Sequence, residues 1–339
     1  MNHTANRTHT YDWKAPLKSY DVFHEMDGKS YLQSILDGKH TVSPMSQTMG
    51  LTLTEVDDGY AVYTVEPAEY HYNPIGSVHG GLAATLFDTT LSSAVITQLP
   101  IGKVCVTVEL HVHYLRALTT TTGRVRCEAR TIHVGRTLAT AEGKLIGEND
   151  GKIYGHATIT CVVMSAPKGD IQLPQTQDTR TFTWEDPLLG ARDAMQMVGL
   201  DYMRSFIDGQ AQPPPIAKIL GMSGIHDVEL GQVRFGTYIG GWQMNTSGMI
   251  HGGLVATLCD SALGCAIHTT MPKGLAYTTS ELNVNFVRAI PPTTKRLYAD
   301  GTVLHSGKQI ATAEAKVVDD EGVLYAHATT TCLVFPMPQ

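Results

Sequence analysis

The chain contains no run approaching the ~20 apolar residues that a bilayer-spanning helix requires. Met1 to Tyr20 is polar and rich in His and Thr, so a secretory leader is not expected either. There is no dense Lys/Arg run: 25 basic residues stand against 32 acidic ones, a net charge of −7. That argues against nucleic acid or an anionic membrane surface as partner, while leaving room for the few cations a phosphorylated ligand needs. The six cysteines (Cys105, Cys127, Cys161, Cys259, Cys265, Cys332) form no C-x-x-C pair, which removes the redox dithiol and the common zinc motifs. Cys161 and Cys332 sit in apolar strand patterns and read as buried free thiols, as expected of a reducing, cytoplasmic compartment. His111-Val112-His113 would put two rings on one face of a strand. No third ligand is near in sequence, so no metal is expected. No G-x-S-x-G segment is present, so a serine-triad elbow is not expected.

What is present is a repeat. His79-Gly80-Gly81-Leu82-Ala83-Ala84-Thr85-Leu86-Phe87-Asp88 returns as His251-Gly252-Gly253-Leu254-Val255-Ala256-Thr257-Leu258-Cys259-Asp260. At an offset of 172, residues 79–117 and 251–289 agree at 19 of 39 positions, counted without gaps. The correspondence reaches back to Asn73/Asn245 and Gly76/Gly248, and forward through Thr107/Thr279, Arg116/Arg288 and Gly135/Gly307. Where repeat 1 has His111 and His113, repeat 2 has Asn283 and Asn285. A fixed long period means one module duplicated, and each half is long enough to bury its own core. The expected domains are residues 20–165 and 191–336, with 166–190 a polar linker. Residues 1–18 are expected to form a loosely packed or disordered arm.

Within a module the pattern is regular. Ser30 to Gly38 is a short amphipathic helix, matched by Asp201 to Gly209 and the helix-breaking Pro213-Pro214-Pro215. Residues 51–65 alternate about Asp57-Asp58-Gly59, a hairpin signal. A loop from Tyr70 to Val78 then leads to a helix over 79–97, so poor in charge that it must be buried on most sides. Four Val/Thr/Ile-rich runs follow at 103–115, 123–133, 137–147 and 152–164. The fold class is therefore α+β, an antiparallel sheet wrapped around one central helix in each module. Joining the two sheets at an edge would protect that edge and set the helices 79–97 and 251–269 side by side, an intramolecular pseudo-dimer.

The repeat can hold chemistry. The first N–H groups of a helix have no intrahelical partner and lie at the positive end of its dipole, where they can stabilise an oxyanion. His-Gly-Gly is otherwise only a tight turn. Asp88 and Asp260 are the sharper signal, because mid-helix Asp among apolar residues has poor propensity and a costly burial. Gly80 and Asp88 are separated by ~12 Å of helical rise, so one carbonyl cannot touch both. Antiparallel helices would instead pair Gly80 with Asp260 and Gly252 with Asp88, giving two composite sites.

The combined pattern Asn73-x-x-Gly76-x-x-His79-Gly80-Gly81 with Asp88, its repeat Asn245-x-x-Gly248-x-x-His251-Gly252-Gly253 with Asp260, and the approach from Gln212 to Gly221 resemble the PaaI-type hotdog-fold acyl-CoA thioesterases. The resemblance covers roughly residues 30–164 and 200–335. Since that family is built from single modules that dimerise, this chain resembles a tandem, double-hotdog member. The resemblance implies hydrolysis of an acyl- or aryl-CoA thioester to the free acid and CoA. Gly80 or Gly252 would offer its backbone N–H to the thioester oxygen, and His79 and His251 are counted with the catalytic residues. Asp88 or Asp260 would be general base or nucleophile, and Asn73 or Asn245 would hold the thioester or the attacking water. Thr107 and Thr279 supply the family's hydroxyl beside the Asp of the same module. Gly81, Gly253, Arg116, Arg288, Arg136 and Lys308 are the candidate substrate-binding residues, the last four for CoA phosphates. No cofactor is implied beyond the CoA of the substrate, and further association of double modules is expected. Two rivals remain: a hotdog enoyl-CoA hydratase or dehydratase, suggested by Asn73-Pro74 before His79, and a non-catalytic acyl-CoA sensor. The sequence does not reveal the acyl group.

Overall fold

The computed structural model describes residues 7–15, 17–171 and 177–336. The first module runs β1 (Thr8–Lys14), α1 (Val22–Glu25), α2 (Gly28–Leu36), α3 (Pro44–Thr48), β2 (Thr52–Asp57), β3 (Tyr60–Val65), α4 (Gly80–Ile96), β4 (Lys103–Tyr114), β5 (Val125–Val134), β6 (Leu138–Gly147) and β7 (Ile153–Ser165). The connecting segment supplies β8 (Gln177–Thr183) and α5 (Pro187–Gln196). The second module repeats the plan with α6 (Gly199–Ile207), α7 (Pro215–Leu220), β9 (Met222–Glu229), β10 (Gln232–Tyr238), α8 (Gly252–Thr269), β11 (Leu275–Phe286), β12 (Arg296–Ser306), β13 (Ile310–Asp319) and β14 (Leu324–Pro336).

Twelve strands form one antiparallel sheet in the order β2-β3-β5-β6-β7-β4-β11-β14-β13-β12-β10-β9. Each module contributes six of them and wraps them around its own long helix. The modules meet where β4 pairs β11, with Val112 opposite Leu282 and Leu110 opposite Val284. Joining there removes what would otherwise be an unpaired edge on each half. This is the expected pair of tandem hotdog modules.

The charge-poor helices α4 and α8 are buried along nearly their whole length, as the sequence requires. Their inner faces cross through small residues. A Cβ on Gly81 would fall 2.3 Å from the side chain of Thr257, and one on Gly253 would fall 2.6 Å from Thr85 Oγ1. The start of each helix thus lies against the middle of the other, the antiparallel arrangement that the split-site argument needs.

Two expectations about the ends of the modules are corrected. Residues 8–14 are not a loose arm: β1 pairs in full with β8, Thr8 opposite Thr183 and Lys14 opposite Gln177. Tyr11 and Trp13 are its buried side, and the Trp13 ring fills the space a side chain at Gly241 would need. The segment 166–190 likewise is not a featureless linker, since β8 and the start of α5 lie within it. Of these stretches, residues 1–6, 16 and 172–176 fall outside the described part of the chain.

Candidate active site

The loop before each helix is held by an asparagine. Asn73 Oδ1 accepts from the N–H groups of Ile75 and Ser77 at 3.0 and 3.1 Å, while Gly76 takes φ +83° to close the turn. Asn245 Oδ1 does the same for Ser247 and Met249 at 2.9 and 3.1 Å. Asn73 spends its amide on Ser77 Oγ at 2.9 Å as well. Asn245 faces Met249 in that place, and its Nδ2 has no hydrogen-bond partner among the described residues. The asparagines therefore shape the loop that presents the histidine, Asx-turn fashion.

His79 and His251 cap their helices. His79 Nδ1 accepts from Gly81 N–H at 3.0 Å, and His251 Nδ1 from Gly253 N–H at 2.9 Å. Beyond the ring, His79 Nε2 lies 3.1 Å from Ser261 Oγ of the opposite helix, whose own hydrogen goes to Thr257 O at 2.9 Å. These bonds fix a neutral ring with its proton on Nε2. Nδ1 also lies 3.2 Å from Asp260 Oδ2. That contact is not an ion pair, because the Nδ1 lone pair is already taken by Gly81 N–H. Burial pushes the imidazole below its ordinary value as well, against the pull of Asp260. His251 stands in the same relation to Asp88, 3.1 Å from Oδ2.

The carboxylates complete the picture. Asp88 is 4% exposed and Asp260 8%, so neither is a solvated surface charge. A Cβ on Gly80 would fall 2.7 Å from Asp260 Oδ2, and one on Gly252 would fall 2.7 Å from Asp88 Oδ2. Glycine is thus required where the other helix delivers its carboxylate, and both expected cross-pairs are realised. As the first helical residue, each of these glycines has no carbonyl four places back to bond. Thr107 Oγ1 donates to Asp88 Oδ1 and Thr279 Oγ1 to Asp260 Oδ1, both at 3.0 Å. A bulge after each threonine, before Glu109 and Glu281, shifts the strand phase. The threonine then shares the inner face with Leu110 or Leu282, an instance of a bulge re-aiming a side chain beside a site.

Several candidates are placed elsewhere. Gly81 and Gly253 give their N–H groups to the capping rings and their Cα surfaces to the opposite helix, so they build the helix crossing instead of facing a ligand. Arg116, Arg288, Arg136 and Lys308 are all exposed. Arg136 and Lys308 occupy the tight β5–β6 and β12–β13 hairpins, not strands. Arg116 donates to Ile153 O. His111 and His113 lie on β4 away from the helices, with His111 Nε2 3.1 Å from Glu281 Oε1 across the seam between modules. Burial pushes the thiols of Cys265 and Cys332, both near Asp260, up to about 12, so neither is a ready thiolate nucleophile.

The sequence reading missed Tyr114. Its hydroxyl donates to Gly80 O at 3.2 Å, and its ring lies 3.2 Å from where a Cβ on Gly80 would be. Burial, and next the Asp260 charge, push its phenol well up. The repeat could not flag it, because Phe286 holds the position in the second copy.

The two glycines of each pair can be told apart by substitution. Gly81→Ala is expected to destabilise the fold by about 1–3 kcal/mol, the usual cost of forcing a methyl into a packed crossing. Gly80→Ala is expected to lower the urea midpoint less than Gly81→Ala does, because a side-chain end can move aside, while displacing Asp260 and lowering turnover at that site. Equal loss of stability in both variants would contradict this division of labour.

The chain is similar to several known proteins. The thioesterase superfamily model matches residues 75–154 and again 247–326. A Pseudomonas aeruginosa protein named as an esterase is 30% identical over 117 residues, 34% of this chain and 79% of that protein. The 1,4-dihydroxy-2-naphthoyl-CoA hydrolase of Listeria monocytogenes is 24% identical over 106 residues, 31% of this chain and 85% of that enzyme. A Halobacterium salinarum protein named as an esterase is 40% identical over 73 residues, 21% of this chain and only 46% of that protein. Among solved structures, a hot dog fold protein of unknown function from Alicyclobacillus acidocaldarius aligns over 87% of this chain and 98% of its own. The TM-score is 0.55 at 14% identity, a likeness of fold.

Proposed function

Because the chain belongs to the thioesterase superfamily, we propose that this thioester hydrolase acts on acyl- or aryl-CoA thioesters, using two composite sites with Asp88 and Asp260 as general bases. The observation that carries the reading is the close approach of each first glycine to the carboxylate of the other helix, in both copies. The coenzyme A part of the reading is supported by the Listeria relative, which is named for a CoA thioester.

In the site of Gly80 and Asp260, the thioester oxygen accepts from Gly80 N–H, where the helix terminus favours developing negative charge. The carboxylate takes a proton from a water whose oxygen attacks the carbonyl carbon. When the tetrahedral intermediate collapses, the C–S bond breaks, and the proton held on the carboxyl passes to the CoA sulfur. The products are the free acid and CoA, and the carboxylate is restored. Thr279 orients the carboxylate through Oδ1, leaving Oδ2 beside Gly80 for the water. His79 positions the helix start through its cap and is not needed as a proton carrier. The second site follows the same scheme with Gly252, Asp88, Thr107 and His251.

The test is a panel of acyl-CoA esters, from acetyl to benzoyl and decanoyl, with release of the free thiol as readout. Hydrolysis of at least one member is expected, with no loss of enoyl absorbance from crotonyl-CoA beyond what hydrolysis explains. Binding without turnover across the panel would favour a sensor, and hydration of crotonyl-CoA a hydratase.

A further inference from the structure

The two sites share their chemistry but not their walls. One helical turn beyond Asp260 lies Gly264, and a Cβ there would fall 2.7 Å from the hydroxyl of Tyr277. Tyr277 is two residues before Thr279 on β11, on the same inner face, so its ring stands next to the carboxylate that Thr279 holds. Behind it the His268 ring lies 5.8 Å away, edge to face, and Tyr202 lies 5.4 Å beyond His268. The Tyr202 hydroxyl is bonded to Gly190 O at 3.1 Å. Three rings packed edge to face or tilted therefore close this end of the site.

The corresponding positions of the other copy hold smaller or aliphatic groups. Cys105 replaces Tyr277, Ile96 replaces His268, and Ser92 stands at the place of Gly264. Ser92 Oγ folds back onto its own helix, donating to Asp88 O at 2.6 Å, and so does not fill the space the phenol takes in the first site. Only Tyr31, the counterpart of Tyr202, is retained, and its hydroxyl is buried with no hydrogen-bond partner among the described residues. A buried hydroxyl without a partner is costly, and a ligand or water reaching that depth would satisfy it. At the mouths both copies keep a ring: Tyr114 lies against Gly80, and Phe286 holds its place in the second copy.

We propose that the site of Asp88 takes the bulky acyl group and the site of Asp260 only a short one, with Tyr277 as the residue that sets the difference. The proposal rests on the thioesterase reading above and names how its substrates divide between the sites. The ligands that test it are ketone thioethers of coenzyme A, which cannot be hydrolysed: S-acetonyl-CoA for a short acyl group and S-phenacyl-CoA for a bulky one. Isothermal titration of the full chain is expected to give two acetonyl sites and one phenacyl site per chain. Tyr277→Cys, the side chain of the other copy, should bind two phenacyl groups and still two acetonyl groups, which also shows that the variant is folded. Tyr277→Phe keeps the ring and should stay at one. Two phenacyl sites in the wild type, one in Tyr277→Cys, or no binding of either analogue would overturn the proposal. In hydrolysis, Asp88→Asn should lower benzoyl-CoA turnover at least tenfold more than acetyl-CoA turnover, and adding Tyr277→Cys should restore the benzoyl activity about tenfold. An unchanged ratio would also overturn it. If the wild-type chain hydrolyses the panel in either event, the thioesterase reading stands while this one falls.

Discussion

Replacing both Asp88 and Asp260 with Asn is expected to lower turnover on the best thioester by about 10²-fold or more, the scale for removing a general base. Each single variant should keep part of the activity. Asp88→Asn disables the site that opens at Gly252, and Asp260→Asn the one that opens at Gly80, because each carboxylate serves the helix start of the other module. The substitution keeps the Thr107 or Thr279 hydroxyl within reach of an amide oxygen, so the fold should survive it. Steady-state thiol release from the three variants, with far-ultraviolet circular dichroism as a folding check, measures this. A single variant as inactive as the double would mean that one site alone works. A double variant with wild-type turnover would remove the carboxylates from the mechanism.

Acid is expected to weaken the fold strongly, and two histidines account for much of the effect. Burial holds His71 down to about 3 and His268 down to about 4, against an ordinary value of 6.5. Above pH 6.5 neither the folded nor the unfolded chain binds these protons, and no stability is lost. Below it the unfolded chain takes up protons the folded one refuses, so stability falls as the pH drops from about 6.5 toward about 4 and then about 3. At ~1.4 kcal/mol per pKa unit, each withdraws on the order of 3 kcal/mol by pH 4, a large part of a typical ~5–15 kcal/mol. The second copy suggests the remedy. His71 Nδ1 accepts from Ala68 N–H at 3.1 Å, and at the equivalent position Gln243 Oε1 accepts from Gly240 N–H at 2.9 Å. His71→Gln should therefore fold at neutral pH and resist acid better, by on the order of 3 kcal/mol at pH 4. Urea unfolding at pH 7 and pH 4 would show it; an equal fall in stability for both proteins would refute the assignment to His71.

The features legible in the sequence were those that the duplication wrote twice. His79, Gly80 and Asp88 assemble into a split site from the sequence alone, because helical rise forbids Gly80 and Asp88 from meeting on one helix. Thr107 was reachable only through the family resemblance, since the bulge that turns it inward leaves no mark in the apolar alternation. Gly81 was misjudged because a helix crossing and a ligand cradle both call for glycine, and only the position of Thr257 decides between them. Tyr114 and Tyr277 were invisible for the opposite reason: a search for what the copies share discards positions where they differ. The arm was misjudged for want of a partner. His9, Tyr11 and Trp13 do alternate with polar residues, but a seven-residue strand is convincing only once β8 is beside it.

The covalent union of the modules has a consequence for how such a protein can change. In an assembly of two identical modules, every substitution enters both sites at once, so a gain for one ligand is a loss for another in both places. Here the Gly80 start and the Asp260 carboxylate are encoded 180 residues apart, and a substitution at Tyr277 touches one site and leaves its sister as it was. The symmetric framework of the β4–β11 seam and the crossed helices stays intact while the walls drift independently. Fusion thus frees the two candidate sites from inheriting each other's mutations.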